Sequence, residues 1–322
     1  MNLIRNAFIT VAVTIASPAI AQKQQPYPVK PIRLVVAFTP GGTPDTLARL
    51  IGPKIAESWK QPVVIENRPG AGGTIASSIV SKAPPDGYTL LAHSNGFAIT
   101  AALTPNLPYD PLKDFTGVAS IGYSTNVLVV SPQLGVKSVK ELIALANAQP
   151  GKILFGSAGA GSGTHLNGEQ FKLAAGINAR HVAFKGQPEF LLEIVAGRVH
   201  FGVAGLGPAL GHIREGRLIP LAVVLPKRAA SLPDVPAAPE VLPGWGRGGL
   251  SQVWLAPAGT PRPILNRVNS EVARVLALPE IRDRLQSYDF VVTPNTPEEI
   301  DRQLRIDIAT FRKIGVAAGL VK

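Results

Sequence analysis

Two glycine-rich segments hold most of the residues whose types and spacing suit chemistry. The first is Phe38-Thr39-Pro40-Gly41-Gly42-Thr43-Pro44-Asp45, between an apolar run and an amphipathic one. Glycine lets a backbone come close to a bound group, and a helix start presents unpaired N–H donors and a positive dipole end. The segment therefore reads either as a carboxylate cradle or as a tight turn with a helix cap. No Gly-Lys-Ser/Thr follows it and no Gly-x-Gly-x-x-Gly lies in it, so it is neither a Walker-type loop nor a dinucleotide fingerprint. Asp45 falls in the first helical turn, a position that suits a structural role better than a catalytic one.

The second segment is Gly156-Ser157-Ala158-Gly159-Ala160-Gly161-Ser162-Gly163-Thr164-His165. Its glycines and hydroxyls can form a nest of donors for an anion. Neither Ser157 nor Ser162 sits in Gly-x-Ser-x-Gly, and no local carboxylate orients His165, which counts against a serine nucleophile. An exported α/β serine hydrolase using Ser157 or Ser162 is nevertheless the competing reading from another class. The histidines His93, His165, His181, His200 and His212 lack the spacing of metal ligands. The absence of cysteine removes thiolate metal sites, disulfides and cysteine nucleophiles. Neither a metal nor a cofactor is expected.

The elements around these segments must hold them in place. Short apolar runs recur at residues 32–38, 63–65, 88–92, 127–130, 153–155, 181–184, 221–224 and 253–255. Most are continuous rather than alternating, the pattern of strands buried on both faces of a parallel sheet. Thr43-Pro44 predicts an N-cap followed by proline, opening a helix with Leu47, Leu50, Ile51 and Ile55 on one face. Ser138 with Glu141, and Thr296 with Glu299, read as capping boxes. Residues 263–278 read as an amphipathic helix. Strands alternating with helices give an α/β class, and the two strand–loop–helix units suggest two lobes with one loop each.

The chain has 322 residues, 46% of them hydrophobic, and a formal charge of +11. Its basic residues are scattered, with no interleaved aromatic stripe, so no nucleic-acid partner is expected. A mild positive potential suits the steering of small anions. Near the start, Arg5 precedes an apolar run at residues 7–16, and Ala19-Ile20-Ala21 supplies a small-x-small pattern. That predicts a signal peptide over residues 1–21, cleaved after Ala21, and a periplasmic mature protein. The run is too short to span a bilayer, which takes about 20 apolar residues.

Together with their neighbours, these residues resemble the periplasmic solute receptors of tripartite tricarboxylate transporters. The motifs run in order along the mature chain: Tyr27-Pro28-Val29-Lys30-Pro31-Ile32, Pro40-Gly41-Gly42 with Asp45, and Glu66-Asn67-Arg68-Pro69-Gly70-Ala71-Gly72-Gly73. Then come Lys82-Ala83-Pro84-Pro85-Asp86-Gly87-Tyr88, the 156–165 loop, Leu232-Pro233-Asp234-Val235-Pro236 and Ala256-Pro257-Ala258-Gly259-Thr260-Pro261. The resemblance implies a two-lobed periplasmic binding protein of type II-like architecture, each lobe a sheet flanked by helices, with the cleft between them. Lobe one is expected over 22–124 and 248–322, and lobe two over 125–247, with hinge closure on the ligand.

The resemblance further implies a monomer without catalytic activity. It would bind a small organic carboxylate, either a di- or tricarboxylate or an aromatic acid, and deliver it to the membrane subunits of the transporter. A sensory receptor for the same ligands is the alternative. The carboxylate would be held by amides and small hydroxyls rather than by arginine. Carried onto this sequence, the binding residues are Phe38, Thr39, Gly41, Gly42 and Thr43 in lobe one. Ser94 and Asn95 follow at a strand end, with Ser157, Gly159, Gly161, Ser162 and His165 in lobe two. Phe184 stands where the family's Val-Pro-Tyr-Lys-Gly segment has tyrosine; facing the cleft, it would favour an aromatic or longer aliphatic acid.

Overall fold

The computed structural model describes residues 27–246, 249–317 and 319. The signal peptide expected over residues 1–21 lies outside them. The first half runs β1 (Ile32–Val36), α1 (Thr43–Trp59), β2 (Val63–Asn67), α2 (Thr74–Ser81), β3 (Thr89–Ser94), α3 (Gly96–Leu103), β4 (Phe115–Ser124) and β5 (Asn126–Val130). It continues with α4 (Val139–Ala148), β6 (Ile153–Ser157), α5 (Gly163–Ala175), β7 (Ala179–Ala183), α6 (Gln187–Val195), β8 (Phe201–Gly205) and α7 (Leu206–Arg214). Then come β9 (Ile219–Val223), α8 (Ala238–Val241), β10 (Leu250–Pro257), α9 (Arg262–Leu276), α10 (Pro279–Gln286), β11 (Val291–Val292) and α11 (Pro297–Ala317).

Two sheets organise these elements, a six-stranded one in the order β11-β4-β10-β3-β1-β2 and a five-stranded one in the order β7-β6-β8-β5-β9. The sheets are mixed rather than purely parallel as the apolar runs predict. β1 is parallel to β2 and β3, but β10 is antiparallel to both β3 and β4. β6 is likewise parallel to its neighbours while β5 runs against β8 and β9. The reversed strands are the ones by which the chain enters each sheet from the other. Only Thr125 separates β4 from β5, and β10 returns to lie beside the end of β4, with Leu250 opposite Ser124.

Each sheet is sandwiched by helices over its own apolar core. Leu34, Ile51, Ile121 and Trp254 centre one core, and Phe155, Phe171 and Phe201 the other. A third cluster joins Phe97 of α3 and Phe115 of β4 to Phe190 of α6 and Leu206 of α7. Burying one such side chain is worth about 1.5–3 kcal/mol. The Thr296–Glu299 capping box forms as the spacing predicts, whereas at Ser138 only the hydroxyl half forms and Glu141 Oε2 accepts from Lys137 N–H instead, at 2.8 Å. Thr296 N–H donates to Glu299 Oε2 at 2.8 Å while Glu299 N–H donates to Thr296 Oγ1 at 3.3 Å, and Ser138 Oγ accepts from Glu141 N–H at 3.2 Å.

Candidate functional site

The carboxyl end of β1 feeds the first glycine loop into α1. Gly41 takes a left-handed φ of 83°, which lets the chain double back. Gly42, rather than Thr43, is the N-cap of α1, so Thr43 and Pro44 are its first two residues. The one-residue shift has a chemical consequence. A capping threonine spends its hydroxyl on the helix, whereas Thr43 Oγ1 is buried with no hydrogen-bond partner.

Asp45 holds this loop in shape. Its Oδ2 accepts from Gly41 N–H at 2.8 Å, its Oδ1 accepts from Asn67 Nδ2 at 2.8 Å, and Arg49 Nε lies 3.0 Å from both oxygens. At 2% exposure the carboxylate is committed to structure, as its place in the first turn predicts.

In the second loop the hydroxyls are turned inward on the loop itself. Ser162 caps α5 by accepting from His165 N–H at 3.2 Å, and Thr164 Oγ1 accepts from Ala158 N–H at 2.9 Å. Ser157 Oγ accepts from Gly159 N–H at 3.2 Å and meets His181 Nε2 at 2.6 Å. The Ser157–His181 contact has the form of a nucleophile and base. Its serine is fully buried, however, and among the described residues no carboxylate is hydrogen-bonded to His181. Burial, then the neighbouring His165 and Lys172, lowers the His181 pKa to about 3, so the ring is neutral at pH 7. His165 stacks on His181 with ring centres 4.0 Å apart, and its Nδ1 accepts from Gly161 N–H at 3.2 Å. Its pKa is also lowered, first by burial.

Between the two loops lies a cavity of about 30 Å³. It is walled by the starts of three helices: Gly42 and Thr43 of α1, Ser162 to Thr164 of α5, and Gln187 of α6. Phe38, Ala158 and Leu250 form its apolar side, and Ser94 and Gln252 complete it. None of these residues is ionisable. Among the described residues, the N–H groups of Thr43, Gly163, Thr164 and Gln187 make no hydrogen bond within the protein. Helix starts of this kind carry roughly half a positive charge each. Three of them around one chamber give it the positive ends of three helix dipoles without a lysine or arginine.

The structure gathers part of the expected set and disperses the rest. Phe38, Gly42, Thr43, Ser94 and Ser162 line the cavity. Thr39 lies beside it, where its hydroxyl donates across the cleft to Glu189 Oε2 at 2.9 Å. Gly41, Ser157, Gly159, Gly161 and His165 shape the loops without lining the chamber, and Phe184 packs against the cluster that joins the sheets. Asn95 turns to a different cavity behind β10.

Gln187 and Gln252 were missed. Gln187 follows Gly186 at a third strand–glycine–helix junction, a signal present in the sequence. Its side chain clamps the end of β8, donating to Gly205 O at 2.9 Å and accepting from Gly205 N–H at 3.2 Å. Gln252, 2% exposed, has Oε1 unpartnered. Only the tertiary path of β10 brings it here.

The two lobes meet at further points. Thr100 Oγ1 donates to Gly161 O at 3.1 Å, and Asp289 accepts from Ala230 and Ser231 N–H at 2.9 Å. Gly72, with φ of 63°, packs so tightly that a Cβ there would lie 2.4 Å from Ala160 O.

Two helix-flanked sheets closing on such a chamber define a solute-binding receptor of the two-lobed periplasmic class. Residues 47–312 match the model of the tripartite tricarboxylate transporter family receptor, and the chain belongs to that family. Its members are receptors rather than enzymes. BugT of Bordetella pertussis is 32% identical over 305 residues, covering 93% of each chain. Among solved structures, Rpa4515 of R. palustris with adipate is 34% identical with a TM-score of 0.87, covering 91% of this chain and 98% of that one. MatC from Rhodopseudomonas palustris with bound malate is 31% identical with a TM-score of 0.85, covering 89% and 99%.

Proposed function

We propose that this protein binds a small organic carboxylate in the inter-lobe chamber and delivers it to the membrane subunits of a tripartite tricarboxylate transporter. The observation that carries the reading is the convergence of three helix starts on a chamber with unspent N–H groups and no ionisable side chain. One carboxylate is bonded by the amides of Thr43, Gly163, Thr164 and Gln187 and by the Thr43 hydroxyl, with water completing the set. Thr39, Gly41, Ser157, Gly159, Gly161 and His165 hold the loops in the binding shape. The adipate and malate of the two related structures support a di- or tricarboxylate over an aromatic acid, as does the packing of Phe184 away from the chamber.

The lobes move as residues 22–124 with 248–322 against residues 125–247. A chamber of about 30 Å³ has room for a water or two rather than a four- to six-carbon acid. The lobes therefore part about the paired strands at Ser124 and Leu250 to admit the acid, and close on it less fully than here. The protein acts as a monomer in the periplasm after cleavage following Ala21.

Calorimetric titration of the mature protein with succinate, malate, adipate, citrate and benzoate, paired with small-angle scattering, tests this. Saturable binding of at least one acid with compaction is the expected result. If none of them binds or raises the melting temperature, the reading fails.

A further inference from the structure

A second and larger cavity, of about 220 Å³, lies behind β10. It shares Ser94 and Gln252 with the carboxylate chamber but includes no residue of either glycine loop. Gly163, Leu250 and Asn95 pack closely between them. A Cβ on Gly163 would lie 2.3 Å from Leu250 Cδ2 and 3.1 Å from Asn95 Oδ1. Both lobes form the larger cavity: Asn167 and Gln170 of α5 on one side, Ser120 of β4 and Asp307 of α11 on the other.

We propose that this cavity is a second ligand site, for a small organic ammonium carrying a short apolar tail. Its polar lining holds two acceptors and one donor left without partners. Asn95 Oδ1 and Gln252 Oε1 are buried and unbonded, and Asn167, 7% exposed, has Nδ2 unbonded. Buried polar atoms are rarely left in that state without a ligand or water to meet them. Asp307 is the sole acidic side chain of the lining besides the Tyr123 phenol, and no lysine, arginine or histidine accompanies it. Gln303 Nε2 donates to its Oδ1 at 2.8 Å, and among the described residues no cation lies within salt-bridge distance. Burial, the largest influence on it, pushes the Asp307 pKa up, the mark of a carboxylate lacking a counter-charge.

A carboxylate together with two orphaned carbonyl oxygens matches the three N–H donors of an –NH3+ head. The remaining wall, with Phe97, Ile99, Ile300, Leu304 and Phe311, suits a short alkyl tail. A cavity of about 150 Å³ accommodates benzene, so this one has room for such a molecule. An anion would face the like charge of Asp307, with no lysine or arginine in the lining to offset it. The charge preference is therefore opposite to that of the first chamber. Because both lobes supply the wall, occupancy is linked to lobe closure, and each ligand alters the affinity of the other by the same factor.

The test is calorimetric titration of the mature protein with butylammonium chloride in the absence of any organic acid, with 1-butanol as the uncharged isostere. Saturable binding of the ammonium and at least tenfold weaker binding of the alcohol are expected. Asp307→Asn should weaken the ammonium tenfold or more while leaving carboxylate affinity within threefold. Ser120→Leu fills the cavity and should abolish ammonium binding, which keeps the test decisive should Asp307→Asn not fold. Equal binding of butanol, as a neutral hydrogen-bonding guest would give, overturns the proposal, as does unchanged binding by either folded variant or no saturable binding. The ammonium and butanol titrations contain no carboxylate, so their failure leaves the first site standing.

Discussion

The two glycine loops look alike in sequence and spend their polar groups in opposite ways. In the first, a buried carboxylate, Asp45, fixes the backbone, and the Thr43 hydroxyl is left over for a guest. In the second, Ser157, Ser162 and Thr164 all bond within their own loop or to His181, and only amides remain. A donor side chain consumed by the backbone makes a rigid cradle, whereas an unspent one makes a point of recognition. In the proposed site the first loop thus adds a hydroxyl to its amides, whereas the second offers amides alone.

Each loop rests on a buried neutral histidine, and acid should attack that support first. Burial lowers the His93 pKa to about 4, beneath the first loop, and that of His181 to about 3, beneath the second. Both pKa values lie below the unfolded value near 6.5, so the unfolded chain binds more protons between those limits. The stability from the neutral rings is complete above pH 6.5 and is lost as pH falls toward 4 and then 3. For fully buried His93 the loss is on the order of 3 kcal/mol. Thermal melts from pH 7.5 to 4 should show a falling melting temperature, with a shallower fall in His93→Gln. An equal fall in that variant would shift the acid sensitivity to the second loop.

The seam between lobes comes next. Gly72→Ala sets a methyl against the Ala160 carbonyl, so the second loop cannot seat against the first lobe. Carboxylate affinity should fall about 100-fold, or roughly 2.7 kcal/mol. A loss under threefold by calorimetry would mean that closure does not use this contact. Thr43→Val then separates recognition from support. It removes one hydrogen bond to a charged group, worth about 1.5 kcal/mol or somewhat more, so affinity should fall at least tenfold with little change in melting temperature. Ser162→Ala should do the reverse, costing about 1 kcal/mol of stability through the lost cap while changing affinity less than threefold. If the two variants exchange these effects in denaturant and binding titrations, the comparison is wrong.

Much of this was readable from residue order. The apolar runs locate most strands, and Thr296 with Glu299 forms the box its spacing predicts. What escaped has identifiable causes. β4 (FTGVASIGYS) and β8 (FGVAG) have their apolar residues interrupted by glycine or serine, so neither shows a continuous apolar run. The reversed direction of β5 and β10 follows from the path between lobes, which no local pattern records. Thr43 was read as a cap because threonine before proline usually is one, and a flexible Gly42 took the position instead. Asn95 adjoins Ser94 in sequence, yet lines the other cavity.

The absence of ionisable side chains from the first chamber has a further consequence. A binding protein outside the cytoplasm meets whatever acidity its surroundings impose. A grip made of peptide N–H groups and a hydroxyl has no proton to gain or lose across that range. The only protonation equilibrium left at the point of contact is the guest's own, so capture should track the fraction of acid that is ionised. Acidification would then disable the scaffold before it disarmed the amides of the proposed grip.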